Sequence, residues 1–264
     1  MTPPAFLFFL GGQDLEMKTL ATLVRETLGE QAVRDRNLGW GARLSDYADD
    51  LATLPATTVP VLVELDLDAP LPPRALVIDH HGAAAGENQP TALEQAFHLL
   101  ALPAERWTRW HALVAANDKG HIAALRAMGA TPEEIDRVRE ADRLAQGISP
   151  AEEAAGRDAL SRAERPFDDL LLVHLPHNRT AVVMDRLPPG SPANVLILSP
   201  EETNFYGAAP LIQALNHAIP GGWFGGALPS QGFWGYPAPL DATRIFAALG
   251  KTNHERFAKG DPPL

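Results

Sequence analysis

Cysteine is absent. Disulfides, thiolate metal sites and a cysteine nucleophile are thereby excluded, and nothing in the composition asks for an oxidising compartment. Long apolar runs are missing too: no stretch approaches the roughly 20 residues that span a bilayer. The opening Met1-Thr2-Pro3-Pro4-Ala5 has no basic segment, and the run Phe6 to Leu10 is too short for a signal core. The expectation is a cytoplasmic protein without a membrane partner. Positive charge is also scarce, with 22 Lys and Arg against 33 Asp and Glu and a formal net charge of −11. Such a surface repels phosphate backbones and argues against a long nucleic acid as partner. A small phosphorylated ligand held through a local metal remains compatible with it. Neither a Gly-x-Ser-x-Gly elbow nor a phosphate-cradling Walker loop occurs.

What is present is ordinary globular material, 45% apolar and 21% charged over 264 residues. That length suits one large domain or two modest ones, each with its own core. Phe6 to Leu10, closed by Gly11-Gly12, reads as a buried strand, and the spacing of Leu15, Leu20, Leu23, Val24 and Leu28 predicts a helix stopped by Gly29. A weak strand follows near 32–36, then a helical stretch over 44–54 and a strand over 59–68 that ends in acids. From Thr91 to about Ala163 the pattern is helical. Thr131-Pro132-Glu133-Glu134 and Ser149-Pro150-Ala151-Glu152 mark helix starts, and Gly120 marks a close approach or a local break in a long helix. Beyond about residue 164 the apolar runs at 170–175, 180–184 and 195–198 read as strands, 207–217 as a helix, and 220–239 as a glycine-rich, aromatic loop. The expected fold class is α/β: a mostly parallel N-terminal sheet flanked by helices over residues 1–163, then a smaller C-terminal α/β domain over 164–264.

Chemistry concentrates at Ala75-Leu76-Val77-Ile78-Asp79-His80-His81-Gly82. A short apolar run ends in one acid and two imidazoles, where open α/β sheets place ligand sites. Oxygen and nitrogen donors at one point suit divalent Mn, Zn or Fe. Read alone, the same residues also fit a capped turn with two exposed histidines. Asp14 and Glu16 follow the first strand, where acids also complement a helix N-terminus. Asp66 is one of the acids that end the strand over 59–68, and Asp118 lies in the long helix. His174 and His177, separated by Pro176, and His98 and His111 read as structural or exposed.

The order Asp14/Glu16, Asp66, Asp79-His80-His81 and Asp118 resembles the DHH phosphoesterase superfamily, in the manner of its RecJ-like and oligoribonuclease-like members. The resemblance covers roughly residues 5 to 125 and rests mainly on Leu76 to Gly82. Val61-Leu62-Val63-Glu64-Leu65-Asp66 and Ala115-Ala116-Asn117-Asp118-Lys119-Gly120 support it, and the second half resembles a diverged DHH-associated domain. The resemblance implies a hydrolase with a metal site, usually manganese, whose ions neutralise charge and acidify a bound water. It implies that Asp66 bridges two ions, that Asp14 holds the first, and that Glu16, His80 and Asp118 hold the second. His81 would contact the phosphoryl oxygen and Asp79 would orient a ligand histidine. Gly221, Gly222 and Trp223 would serve substrate binding in a loop running on to Gly226.

The sequence departs from the family pattern at three points. Leu10 stands where the family has a metal-binding histidine, Glu16 replaces an aspartate, and Trp223 replaces a histidine after Gly221-Gly222. His121, three residues past Asp118, offers a substitute ligand if the helix continues. Trp223, Phe224, Phe233, Trp234 and Tyr236 would either stack on a flat ring or pack between domains. The leading expectation is a metal-dependent phosphoester hydrolase acting on a small phosphorylated or nucleotide-like substrate, with one or two ions. The alternative is a catalytically retired DHH-like protein that binds a ligand or a partner protein. A second copy of the chain and a different protein both stay open as partners.

Overall fold

A computed structural model describes residues 5–39, 41–81, 89–187, 191–225 and 231–250. Gly82, Gly226 and the tip of the aromatic segment lie outside the described residues. The chain divides into two compact units, Met1–Gly147 and Ile148–Leu264.

The first unit is built on four parallel strands in the order β2-β1-β3-β4: β1 Ala5–Leu10, β2 Val33–Arg34, β3 Thr58–Val63 and β4 Leu76–Ile78. The period-two alternation of a strand divides its apolar residues between two cores. Phe8, Leu10, Val61 and Val63 face one core with α1 (Leu15–Leu28), α3 (Ala92–Leu99), α4 (Arg109–Ala127) and α5 (Pro132–Ala145). Leu7, Phe9 and Leu62 face the other with Leu44, Tyr47 and, in α2 (Ala48–Ala52), Leu51. The continuous apolar runs of β1 and β3 therefore appear in sequence because both of their faces are covered. The helices begin where the side chains dictate: Thr91, Thr108 and Thr131 each cap the amide three residues on, with Glu94, His111 and Glu134 reaching back.

The second unit carries a six-stranded mixed sheet in the order β5-β6-β7-β8-β10-β9. Its strands are β5 Glu164–Phe167, β6 Leu170–His174, β7 Asn194–Leu198, β8 Thr203–Ala208, β9 Trp223–Gly225 and β10 Gln231–Tyr236. Only β6 and β7 run parallel. Leu170, Leu172, Leu196, Phe205 and Trp234 pack with α8 (Ala209–Ala218) and α9 (Ala242–Ala248). Val173, Val195 and Ile197 pack on the opposite face with α6 (Pro150–Ser161) and α7 (Ala181–Met184). Among the described residues no helix is long and apolar enough to cross a membrane.

The α/β class stands as expected, and two local expectations are corrected. Ile148 and Ala159 complete the core under Val173, so the division into compact units falls between Gly147 and Ile148. The composition shift near residue 164 marks the end of α6. The run 180–184 is one helical turn, not a strand, because Val182 and Val183 are both buried in that core. Two consecutive residues facing one core do not fit the strand alternation, and packing overrides the β preference of valine. The glycine-aromatic segment forms β9 and β10 and is not a loop, with Trp234 fully buried and Trp223, Phe224 and Phe233 exposed.

One buried hydroxyl pins the exit of β1. Tyr47 Oη donates to the Leu10 carbonyl at 2.7 Å and accepts from the Arg36 amide at 3.3 Å. Tyr47→Phe keeps the packing and strands these groups, so the first unit should lose about 1–3 kcal/mol. A lower urea midpoint with unchanged far-UV circular dichroism would register that loss.

Candidate metal centre

Three parallel strands end side by side, and each hands its next residues to one place. β1 stops at Gly11-Gly12 because another backbone runs against it: a Cβ on Gly11 would lie 2.1 Å from the Glu64 carbonyl oxygen. The chain then turns through Asp14, whose carboxylate caps α1 by accepting from the Met17 amide at 2.8 Å. Glu16, in the first turn of α1, is only 2% exposed. Its Oε1 accepts from the Leu93 amide at 2.9 Å, one of the donors that the start of α3 leaves without a helical partner. β3 gives way to Glu64 at a positive φ of 52°, a strained conformation for a residue with a side chain. The Glu64 amide donates to the Ile78 carbonyl at 2.9 Å, which sets Glu64 beside the end of β4. Two residues past Ile78 comes His80. Asp118 arrives from α4, just before a kink at Gly120 and His121.

These side chains converge on His80. Its Nε2 lies 2.7 Å from Asp118 Oδ2, 3.1 Å from Glu64 Oε1 and 3.6 Å from Glu16 Oε2. The distances are those of ion pairs, yet the angles do not make hydrogen bonds. Glu16 Oε2, Glu64 Oε1, His80 Nε2 and Asp118 Oδ2 are all buried without a hydrogen-bond partner. Four buried polar atoms this close together, none with a hydrogen bond of good geometry, are a donor arrangement that suits a cation. Glu64, His80, Asp118 and His81 each offer a ligand atom within 4.8 Å of the others.

The electrostatics agree. Burial pushes the Glu64 carboxyl up to about 8, with Glu16 and Asp118 adding to the rise against the pull of His80. Burial likewise raises Asp118 to about 6, helped by Glu16 and Asp14, while His80 opposes. Glu16 stays below the usual carboxylate range: burial opposes its charge, but contacts with His80 and Thr91 and the Leu93 amide outweigh it. Burial disfavours a proton on His80, but Asp118, Glu16 and Glu64 raise its pKa to about 12. Packed carboxylates at this density favour a positive charge among them. Hard oxygens with one imidazole fit a divalent ion such as Mn, Mg, Fe or Zn, and Glu16, Glu64, His80 and Asp118 would hold it.

The residues singled out in the sequence divide unevenly. Glu16, His80 and Asp118 come together. His81 joins them half exposed, with Nδ1 3.5 Å from Glu64 Oε1 and its ring 4.1 Å from that of His80. Asp79 shapes the turn, its Oδ1 accepting from the His81 amide at 2.8 Å. Asp14 lies near enough to raise the pKa of Asp118, but its carboxylate is engaged as a cap. Its own pKa rises to about 6, through burial first and then Glu16 and Asp142.

Asp66 is not brought to the group. The left-handed turn at Glu64 ends β3, and the chain leaves to pair with 42–44, the Asp66 amide donating to the Ala42 carbonyl at 2.8 Å. Asp66 is exposed, and Glu64 takes the place assigned to it. Glu64 had a legible signal, as the first polar residue after the buried run Val59 to Val63. Leu10 is core, buried at the end of β1. His121 sits at φ 56° in the kink, which removes the helical register that would have aligned it with Asp118. Gly221, Gly222 and Trp223 belong to the second unit. A Cβ on Gly222 would stand 2.6 Å from the Gly235 carbonyl oxygen, so this glycine admits the neighbouring strand, and Trp223 is 40% exposed.

The fold and this centre together give a two-unit α/β protein with a group of acids and imidazoles whose ligand atoms suit a metal ion. No protein-family model and no curated protein matches the chain. Among solved structures it is similar to the pGpG-specific phosphodiesterase PggH from Vibrio cholerae, at 14% identity and TM-score 0.43, over 92% of this chain and 97% of that one. It is also similar to an exonuclease RecJ bound to manganese, at 16% identity and TM-score 0.46, over 97% and 90% of the two chains. The RecJ of Thermus thermophilus in complex with magnesium gives 17% identity and TM-score 0.49, over 97% of this chain but 50% of that one. With neighbours this distant, what the chain does has to come from its own residues.

Gly11→Ala tests the backbone approach that places Glu64. The new methyl would meet the carbonyl oxygens of Glu64 and Val63 at 2.1 and 2.7 Å, so the end of β3 must move. A stability loss of about 1–3 kcal/mol is expected. Denaturant melts beside metal titrations would show it, with metal affinity falling alongside.

Proposed function

We propose that the protein is a metal-dependent phosphoester hydrolase acting on a small phosphorylated or nucleotide-like substrate, with one divalent ion, manganese foremost, held by Glu16, Glu64, His80 and Asp118. The observation that carries this reading is the convergence of four buried, hydrogen-bond-free donor atoms from those residues. The sequence resemblance around Asp79-His80-His81 supplies the phosphoester chemistry. The acidic surface favours a small substrate over a long polyanion.

A bound divalent ion supplies charge neutralisation at phosphorus and a more acidic water. The chain's own residues do the rest. Glu16 is fixed in orientation by the Leu93 amide. His80 fills its place with both neighbours ordered, Glu64 by its strained turn and Asp118 by the helix before the kink. His81, 47% exposed in its side chain, sits at the rim of the group with Nδ1 3.5 Å from Glu64 Oε1 and can donate to a phosphoryl oxygen. Asp79 holds the His81 backbone in position for that contact.

Metal analysis after Mn2+ loading and desalting should give about one equivalent, with Glu64→Gln and His80→Ala reduced to background. Asp66→Asn should bind as the wild type does, because Asp66 is exposed and outside the group. Hydrolysis of a dinucleotide should follow the same pattern. A wild type that takes up no Mn2+ would overturn the hydrolase reading and leave ligand binding by a retired site.

A further inference from the structure

The ligand group draws Glu16 from α1 and Asp118 from α4, two helices remote in sequence. A divalent ion tolerates only a narrow spread of donor positions, so their separation needs to be fixed. Adjoining both is a buried polar network on α5. Arg139 and Asp142, 4% and 5% exposed, pair at 2.8 Å through Nη1 and Oδ2. The same Nη1 donates to Asn117 Oδ1 at 2.7 Å, and Asn117 is the residue immediately before Asp118. The other carboxylate oxygen, Asp142 Oδ1, accepts from the Leu15 amide at 3.0 Å, and Leu15 lies between Asp14 and Glu16. Gln146 Nε2 donates to Asp142 Oδ2 at 3.0 Å. One ion pair thus grips the residue next to each of two ligand side chains.

Stability is a poor reason for this pair. Removing two charges from water generally costs as much as their attraction returns, and well-packed apolar residues in their place are often neutral or stabilising. What apolar residues would not supply is direction. The series Leu15 amide, Asp142, Arg139, Asn117 fixes α1 against α4 through oriented bonds, whereas packing alone limits their approach without setting it. We propose that Arg139 and Asp142 are positioning residues: they hold Glu16 and Asp118 at the separation a divalent ion requires, and do so without touching the ion.

The proposal rests on the metal reading above, and one titration separates the two. Mn2+ is titrated calorimetrically into chelator-treated wild type, into the Arg139→Met/Asp142→Leu double variant, and into Asn117→Ala, which keeps the ion pair and cuts its link to α4. The control is Arg186→Met/Glu153→Leu, which removes a hydrogen-bonded ion pair in the second unit. All are assayed well below their melting temperatures, with circular dichroism confirming the fold. Affinity should fall roughly 10–100-fold in the double variant, the range for residues that orient metal ligands. Asn117→Ala should weaken it in the same direction, the control should bind as wild type does, and Arg139→Lys should recover part of the loss. If the double variant does not fold, Asn117→Ala alone decides. Wild-type affinity in the folded variants would overturn the positioning role and leave the metal site standing. A control as weak as the double variant would reduce the effect to general destabilisation and overturn it too. A wild type that binds no Mn2+ would overturn the metal reading and this inference with it.

Discussion

The burial of three carboxylates around one imidazole is the constraint on which the first unit turns. Glu16, Glu64 and Asp118 crowd within 3.6 Å of one imidazole nitrogen, in surroundings that push two of the three acids well above their ordinary pKa. No fold gathers acids in this way for stability, because each has been taken out of water and set beside like charge. The arrangement makes sense as a site built for a cation, and the rest of the unit supplies the rigidity that holds it together. Parallel strands bring three chain segments out at one edge, and the N-terminus of α3 offers the amide that ties down Glu16.

Backbone strain falls at the same place. Glu64 adopts a positive φ as the strand ends, and His121 adopts one three residues past Asp118. Such conformations persist only where the surroundings over-determine them. For Glu64 the surroundings are visible: the Ile78 carbonyl receives its amide, and Gly11 lacks the side chain that would otherwise collide with it. The turn at Glu64 also disposes of Asp66, which leaves with the chain to pair beside Arg43.

Much of the architecture was legible in the residues. The apolar runs ending in Gly11, Glu64 and Asp79 announced three strands, of which the first two are buried while β4 exposes Leu76 and Val77, and Thr131 and Ser149 with their glutamates announced two helix starts. The break at Gly120 was legible because glycine is out of place within a helix. The second unit was harder. Its β9-β10 hairpin is rich in glycine, where Gly222 makes room for the adjoining strand, and composition of that kind reads as loop. The turn at 181–184 was misread because two valines in a row suit a strand by propensity, and only their common core makes them helical.

The resemblance carried by Leu76 to Gly82 implied one place for His80, Glu16 and Asp118, because the acid and paired imidazole at the end of that run are a local signal. By itself the sequence determined that Leu10 contributes no ligand, because leucine has no donor. Between Glu64 and Asp66, two acids on the same alternation, the sequence offered only that Glu64 is the first polar residue after the buried run, and the fold made the choice. The choice turns on a single left-handed φ, enforced by Gly11 and Ile78 from other strands. The network of Asn117, Arg139 and Asp142 was likewise invisible in sequence, because an arginine and an aspartate three residues apart look the same on a solvated helix face as in a buried one. Burial is a property of what packs against a residue, and those neighbours arrive from distant parts of the chain.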